Sequence, residues 1–193
     1  MIKVLTVFGT RPETIKMAPV IAELAEHPTR IHNKNCLTSQ HRDMVAPLID
    51  LFGIKVDYNL DLMRENQTLE HITVTVLQEV SKILRAEPFD LLLVQGDTTT
   101  SMAAAMAAFY CGVKVGHIEA GLRTFDKFHP YPEESNRKII QEIAKYAYEH
   151  EERTGHFPKI LIFAVNDLPE ARDDVCMAVL AQLDHDPAAA HLV

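Results

Sequence analysis

Apolar and polar positions alternate along the chain in two kinds of block. Residues 2–8, "IKVLTVF", form a near-continuous apolar run rich in β-branched side chains, which is typical of a strand buried on both faces of a parallel sheet. In the following "GTRPETIK", Thr10 stands three residues before Glu13 with Pro12 between them, a spacing that predicts a capping box and a helix start. The chain therefore begins with a predicted strand, tight turn and helix, the helix kinked at Pro19.

The same order of strand, turn and helix recurs as far as residue 137. Further strands are predicted near residues 35–38, 54–60, 91–95 and 113–119. Helices are predicted in "SQHRDMVAPLIDLFG", in residues 68–85 and in "MAAAMAAFYCG", the first and last ending at a glycine. Such short connections imply right-handed βαβ crossovers, so residues 1–137 are predicted to form a doubly wound, Rossmann-like α/β domain with a parallel sheet.

In residues 138–193 the pattern of charged and apolar positions changes. "KIIQEIAKYAYEHEERTG" predicts a charged amphipathic helix, "FPKILIFAV" a strand and "PEARDDVCMAVLAQL" another helix. No low-complexity linker separates this tail from the first 137 residues. We therefore expect a helix-strand-helix tail that adds one more strand to the same sheet.

Composition narrows the possible partners. The 193 residues are 47% hydrophobic, enough for a sizeable core, and carry a formal net charge of -8 with no basic field for nucleic acid or an anionic membrane. Cys36, Cys111 and Cys176 lie far apart, which argues against a disulfide scaffold or a zinc site. The longest apolar stretch, residues 102–111, is shorter than the roughly 20 residues of a membrane helix. We expect a cytoplasmic protein with no metal, nucleic-acid or membrane partner.

Polar residues follow the predicted strands at the edge where open parallel sheets bind ligands. Arg11 and Lys16 lie at a predicted helix N-terminus, which favours an anion such as a phosphate, although both also suit an ordinary solvated helix start. The pattern "QGDTTTS" favours Asp97 as a helix N-cap, although Thr98 or Thr99 could take that role and leave Asp97 facing a ligand. Both alternatives stay open at each turn.

Carboxylates crowd the stretch "GHIEAGLRTFDKFHPYPEESNR". Glu119 follows an apolar strand directly, and Glu133 and Glu134 return after a proline-containing loop, with His117 and Arg123 nearby. Carboxylates brought together in a desolvated cleft separate their pKa values, so that one acts as an acid and another as a base. Alternatively, the two later glutamates pair with basic residues on their own helix. The pattern supports an anion-tolerant cleft but names no substrate.

Four long motifs resemble one known family. "VFGTRPETIKMAPVI", "TSQHRDM", "LLLVQGDTTTSMAAAMAAF" and "VGHIEAGLRTFDKF...PEESNR" are similar, in order and spacing, to the N-terminal domain of the non-hydrolysing UDP-N-acetylglucosamine 2-epimerases. The resemblance covers residues 1–137. It implies one half of a glycosyltransferase-B-like architecture, with the active site between two Rossmann-like domains. The implied partner is UDP-N-acetylglucosamine, which such enzymes interconvert with UDP-N-acetylmannosamine without a redox cofactor.

The resemblance also assigns roles to individual residues. The positions that match catalytic carboxylates are Asp97, Glu119 and Glu133. Those that match substrate-binding side chains are Arg11, Lys16, Gln40, His41, Arg123, Asn136 and Arg137. At Ser39 the family usually has a glycine. The resemblance does not divide the proton transfers among the three acids.

After residue 137 the chain departs from the family pattern. The family continues into a second Rossmann-like domain, which we expect to be missing here, so that turnover by this chain is weak or absent. The alternative is a non-catalytic, Rossmann-like nucleotide-sugar-binding or interaction module, and a homodimer through residues 68–85 is possible in either case. "EHEERTGHFPKILIFAVNDLP" faintly resembles a motor subunit of type I restriction enzymes, but the acidic charge and the lack of a GxxxxGK[ST] loop argue against a nucleic-acid motor.

Overall fold

The computed structural model describes residues 1–39, 42–64, 67–154 and 162–163, in which strands and helices alternate. The strands are β1 (Ile2–Phe8), β2 (Ile31–Leu37), β3 (Tyr58–Asn59), β4 (Leu91–Gln95), β5 (Lys114–Ile118) and β6 (Ile162–Phe163). The helices are α1 (Arg11–Ala25), α2 (Arg42–Phe52), α3 (Leu69–Ala86), α4 (Thr99–Tyr110) and α5 (Glu133–Thr154).

The strands form one parallel sheet in the order β3-β2-β1-β4-β5-β6. This is the doubly wound order of a Rossmann-like fold, which confirms the predicted fold class. The strand order reverses between β1 and β4. At such a switch point the connections leave towards opposite faces of the sheet and open a crevice at the carboxyl ends of the strands, where ligands bind in folds of this kind.

The hydrophobic core lies on both faces of the sheet. Along β1, Val4 and Phe8 face the cluster that includes α1 and α2, whereas Leu5 and Val7 face the cluster of α3, α4 and α5. All four side chains are fully buried, as expected for a strand covered by helices on both sides. α4 lies between α3 and α5, and its run of alanines allows both helices to approach closely.

The predicted helix start after β1 is confirmed. The Thr10 hydroxyl accepts the N–H of Glu13, and the Glu13 carboxylate accepts the N–H of Thr10 at 2.7 Å, which completes the capping box. Pro19 lies inside α1. Between α4 and β5, Gly112 has a φ of +70°, the left-handed conformation that glycine adopts at helix ends.

β2 begins earlier than the sequence pattern predicts. It pairs with the whole of β1, from Ile2 opposite Ile31 to Phe8 opposite Leu37, although it carries polar side chains that hide the strand signal. One of them, Asn33, accepts a hydrogen bond from the Thr6 hydroxyl of β1 at 2.8 Å. The polar positions are therefore satisfied across the sheet, which periodicity alone does not reveal.

Other boundaries also differ from the prediction. β3 has two residues, whereas a longer strand was predicted over residues 54–60. α5 begins at Glu133, five residues before the predicted helix, so it continues across the predicted boundary at residue 137. Of the predicted strand in the tail, Ile162–Phe163 is described and pairs with β5 at the sheet edge. The predicted last helix lies outside the described residues, and the division of the chain at residue 137 stays a prediction.

Two of the cysteines lie in described segments. Cys36 is buried in the core, and its burial raises the pKa of the thiol to about 12, so it behaves as a small apolar residue. Cys111 is partly buried and Cys176 lies outside the described residues. Among helices of the described ranges, none combines the length and apolar composition needed to cross a bilayer.

An ion pair closes the loop between β5 and α5. The Arg123 guanidinium donates to Glu134 Oε1 from Nε at 2.9 Å and from Nη2 at 2.5 Å, and the Thr124 N–H donates to Glu134 Oε2 at 3.1 Å. The Arg123 hydrogen bonds, helped by that of Thr124, lower the pKa of Glu134 from its usual 4.5 to about 2. Glu134 therefore anchors the loop to the first turn of α5.

This depressed pKa predicts a pH-dependent contribution to stability. Because the folded protein holds Glu134 ionised down to about pH 2, the contribution is fully present above about pH 4.5 and is lost as the pH falls from about 4.5 to 2. The difference in unfolding free energy between the wild type and Glu134→Gln should be largest near neutral pH and smallest near pH 2. Urea unfolding at a series of pH values measures it.

Arg123→Met provides the control. Without the guanidinium, the Glu134→Gln substitution should lose most of its pH dependence, because the main cause of the depressed pKa has been removed. A pH dependence of equal size in the two backgrounds would contradict the assignment of the stabilisation to this pair.

Candidate active site

The carboxyl ends of three neighbouring strands meet at one edge of the sheet. The turn after β1 leads into α1 with Lys16, the turn after β4 carries Asp97, and Glu119 follows β5 directly. Arg137 reaches the same place from α5. The structure thus brings together two of the three predicted catalytic carboxylates and two predicted substrate-binding cations.

Glu119 is held by two side chains from different elements. The Lys16 ammonium lies 2.5 Å from both Glu119 carboxylate oxygens, and the Gln95 amide donates to Oε2. The Glu119 side chain is 16% exposed and that of Lys16 is 41% exposed, so the pair opens to solvent on the lysine side. The carboxylate is charge-compensated yet accessible from the crevice.

The backbone of Glu119 is strained. Its φ of +62° lies in the left-handed region, which costs a non-glycine residue energy because Cβ approaches the carbonyl oxygen. Such residues persist where surrounding contacts hold them and are common at active sites. Here the carbonyl of Glu119 accepts a hydrogen bond from Arg137 Nη1, which holds the strained residue in place.

Asp97 does not cap α4. That role belongs to Thr98, whose hydroxyl accepts the N–H of Ser101 at 3.0 Å, so the structure selects the second of the two alternatives at this turn. The Asp97 carboxylate instead forms an ion pair with Arg137 Nη2. Because the Asp97 side chain stays 27% exposed, it is free to face a ligand.

Asn136 and Arg137 are buried and contact the residues Asp97 and Glu119. Both residues are 5% exposed, and the Asn136 amide donates to the carbonyl of Asp97 at 3.0 Å. Arg137 contacts the carboxylate of Asp97 and the carbonyl of Glu119. Although the family resemblance implies that both bind substrate, their contacts in the structure are with the residues that carry the acids.

Glu133 stands one helical turn before these two residues. Positions 133, 136 and 137 share one face of α5, so Glu133 points towards the same side as Asn136 and Arg137. Its Oε2 is buried without a hydrogen-bond partner, and no hydrogen bond or ion pair joins it to Asp97 or Glu119 within the described part of the chain. Among the described residues, Glu133 forms no ion pair with Arg137 or Lys138 either, so the alternative of pairing within its own helix is not observed.

Two other predicted site residues, Arg11 and Arg123, form no hydrogen bond or ion pair with this cluster in the described part of the chain. Arg11 is exposed and forms no ion pair with another described residue. Arg123 is engaged with Glu134 and lies 4.9 Å from the centre of the Phe125 ring. Gln40 and His41 lie outside the described residues.

His117 supports the turn before Asp97. It is completely buried, and its Nε2 lies 2.6 Å from the carbonyl of Gly96, which implies the neutral tautomer with the proton on Nε2. Burial lowers the pKa of His117 from its usual 6.5 to about 4, and the positive charge of Arg137 acts in the same direction. The imidazole is neutral at pH 7 and holds the Gly96 turn, where φ is +72°.

Sequence reasoning missed two contributors to the cluster. Gln95 is the last residue of β4, and a polar residue ending an otherwise apolar strand was the available signal. Glu13 was recognised as a helix-capping residue, but its contacts with the turn after β4 were not predicted.

Among the described residues, no group of three or more histidines, cysteines or carboxylates is arranged to hold a metal ion.

The site combines two accessible carboxylates, each beside a cation. Paired carboxylates in a partly desolvated crevice suit proton transfer to and from a substrate carbon. Lys16, partly exposed in the second turn of α1, suits an anionic group such as a phosphate that lies at the N-terminus of this helix. The arrangement therefore supports acid/base chemistry on an anionic ligand.

Comparison with known proteins gives a consistent result. The family model for UDP-N-acetylglucosamine 2-epimerase matches residues 22–155. Relatives of that name from Neisseria meningitidis serogroup A and Escherichia coli K12 are 51% and 49% identical over 146 residues, 76% of this chain and 39% of each relative. The chain thus spans about two fifths of the length of these curated relatives.

Solved structures agree with the sequence relatives. A Neisseria meningitidis UDP-GlcNAc 2-epimerase bound to UDP-GlcNAc superposes with a TM-score of 0.73 and 43% identity, covering 94% of this chain and half of that one. An S. aureus MnaA-UDP co-structure gives a TM-score of 0.74 at 36% identity, over 92% and 48% of the two chains. The chain belongs to the UDP-N-acetylglucosamine 2-epimerase family.

Proposed function

We propose that this chain binds UDP-N-acetylglucosamine and supplies acid/base residues for its epimerisation at C2. The observation that carries the proposal is the Lys16–Glu119 and Asp97–Arg137 cluster at the switch point of the sheet, in a chain of the epimerase family. A relative of this family has been solved with UDP-GlcNAc bound, which supports the choice of substrate.

The chemistry needs groups of two kinds. In the proposed reaction, a base removes the C2 proton, the electron pair forms a C1–C2 double bond, and the C1–O bond to UDP breaks. UDP then adds back to the 2-acetamidoglucal while a proton returns to the other face of C2. Glu119 and Asp97, approaching from different strands, suit the two faces, with Glu133 as the third candidate.

Lys16 suits the departing diphosphate. Its ammonium balances the charge of Glu119 in the absence of substrate and remains solvent-accessible. A phosphate entering at the N-terminus of α1 gains from this ammonium, from the helix dipole and from the exposed Arg11 nearby. When Lys16 turns to the phosphate, Glu119 loses its counter-ion and becomes a stronger proton acceptor.

Turnover by residues 1–193 alone is proposed to be weak. Residues 1–193 span about two fifths of the length of the curated relatives, so these residues alone are proposed to make fewer contacts with a nucleotide sugar than a full-length relative. Binding energy from remote parts of a substrate is what positions the reacting carbon, so fewer contacts mean slower chemistry.

The first prediction concerns binding. UDP-N-acetylglucosamine should raise the melting temperature of the chain, and Lys16→Met should reduce this shift to less than half, because the ammonium that meets the diphosphate is gone. Differential scanning fluorimetry over a range of ligand concentrations measures the shift.

Lys34→Met is the matched control. Lys34 forms a similar two-oxygen ion pair with Glu87, at 2.7 and 2.8 Å, away from the site. It should lower the melting temperature without reducing the ligand-induced shift. Equal ligand effects in the two variants would contradict the role of Lys16.

The second prediction concerns the chemistry. In deuterated water the wild-type chain should exchange the C2 proton of UDP-N-acetylglucosamine slowly, and Glu119→Gln or Asp97→Asn should reduce the exchange by about 10²–10⁴-fold, or to background. NMR of the C2 position follows the exchange and the appearance of UDP-N-acetylmannosamine.

Glu87→Gln serves as the control, since it disturbs an ion pair of the same type outside the cluster. Exchange that persists in the Glu119 and Asp97 variants would contradict the assigned roles. Epimerisation by the wild type at an ordinary enzyme rate would overturn the proposal that turnover by this chain is weak.

A further inference from the structure

We propose that Glu13 is a positioning residue that fastens together the two turns from which Lys16 and Asp97 approach the substrate. The inference rests on the proposed function for its consequence, but its structural part stands on contacts alone. Glu13 lies at the third position of α1 and is 1% exposed, so its carboxylate does not itself reach the crevice.

One carboxylate oxygen holds the turn after β1. Glu13 Oε2 accepts the N–H of Gly9 at 2.8 Å and the N–H of Thr10 at 2.7 Å. The capping box accounts for only the second of these bonds. This turn opens α1, the helix that carries Lys16 one turn further along.

The other oxygen holds the turn after β4. Glu13 Oε1 lies 2.5 Å from the Thr98 hydroxyl, which donates to it, and 2.9 Å from the Ser101 hydroxyl. The same Thr98 hydroxyl accepts the N–H of Ser101 as the cap of α4. Asp97 immediately precedes Thr98, so the carboxylate reaches from the first residues of α1 to the residue beside a predicted catalytic acid.

The surroundings explain how an anion is stable at this depth. An unpaired buried charge is costly, yet no lysine, arginine or histidine forms an ion pair with Glu13 among the described residues. Instead two backbone N–H groups and two hydroxyls surround it, at the N-termini of both α1 and α4. The positive ends of two helix dipoles favour the carboxylate where no cation is present.

This arrangement sets the distance between the two halves of the site. β1 and β4 pair directly, but their hydrogen bonds stop before the turns, with Thr6 opposite Leu93 the last paired position. Beyond the paired residues, Glu13 joins the two turns by hydrogen bonds from a single side chain. Without it, Lys16 is held by α1 and Glu119, and Asp97 by Arg137 and Asn136, but no described side chain joins the two turns directly by hydrogen bonds.

Two variants separate the contacts. Glu13→Ala removes all of them, whereas Glu13→Gln keeps the shape and lets an amide oxygen accept from one turn while the NH₂ group faces the other. The isosteric variant should therefore retain part of the coupling. Thr68→Ala is the control, because Thr68 caps α3 through the His71 N–H and touches neither turn.

The first arm of the experiment uses no substrate. Amide hydrogen exchange measured by NMR should show faster exchange at Gly9 and Thr10 in Glu13→Ala, by about tenfold or more, and also at Ser101 in α4, with smaller changes in Glu13→Gln. A residue that only caps α1 would leave Ser101 unchanged, and that result would overturn the inference. Thr68→Ala should change none of the three.

The second arm measures affinity for UDP-N-acetylglucosamine by calorimetric titration. Glu13→Ala should weaken binding about tenfold or more, Glu13→Gln by a smaller factor, and Thr68→Ala should have no effect. Equal affinities in all four proteins would overturn the positioning role while leaving the proposed function intact. If the wild type does not bind the nucleotide sugar but Ser101 responds in the first arm, the proposed function fails and the coupling stands.

Discussion

The structure depends on the compensation of carboxylates crowded at one edge of a parallel sheet. Carboxylates crowded in a partly desolvated place repel one another and lose hydration, so four of the five have specific partners, and Glu133 Oε2 is the buried oxygen left without one. The partners are Lys16 for Glu119, Arg137 for Asp97, Arg123 for Glu134 and a set of N–H and O–H donors for Glu13. Each pairing joins different parts of the chain, so the electrostatic compensation also fixes how the turns and the loop sit.

Arg137 both pairs with the charge of Asp97 and holds the backbone of Glu119. Its side chain is 6% exposed and that of Asp97 is 27% exposed, so the loss of Arg137 would leave a partly desolvated carboxylate without its partner. The same guanidinium holds the carbonyl of Glu119, whose backbone is in the left-handed region. One cation from α5 therefore places both acids of the proposed site.

The site is built in two layers. An accessible layer of Lys16, Asp97 and Glu119 faces the crevice, and a buried layer of Glu13, His117, Asn136 and Arg137 holds the turns from below. The neutral, buried His117 belongs to the second layer, because its contact is with the Gly96 carbonyl. Residues that match a family motif can thus contribute through the turns they support, without contacting the ligand themselves.

Local signals explain what could be predicted about the fold. The apolar run of β1 and the capping box of α1 involve neighbours within a few residues, so both were predicted correctly. β2 was predicted too short because its polar side chains are satisfied by neighbouring strands and loops. For the site, Asp97 and Glu119 were found at the predicted strand ends. Capping propensities favour Asp97 over a threonine as the cap of α4, whereas in the structure Thr98 caps the helix and Asp97 pairs with Arg137.

The sequence by itself determined the alternation of strands and helices, the Rossmann-like fold class and the polar character of the turns, because these follow from periodicity and capping over short stretches. The tertiary structure decided which carboxylate meets which cation. Lys16 and Glu119 are 103 residues apart, and Asp97 and Arg137 are 40 apart. Such partners meet only because the parallel order of the sheet brings the carboxyl ends of β1, β4 and β5 together, and no local pattern records that order.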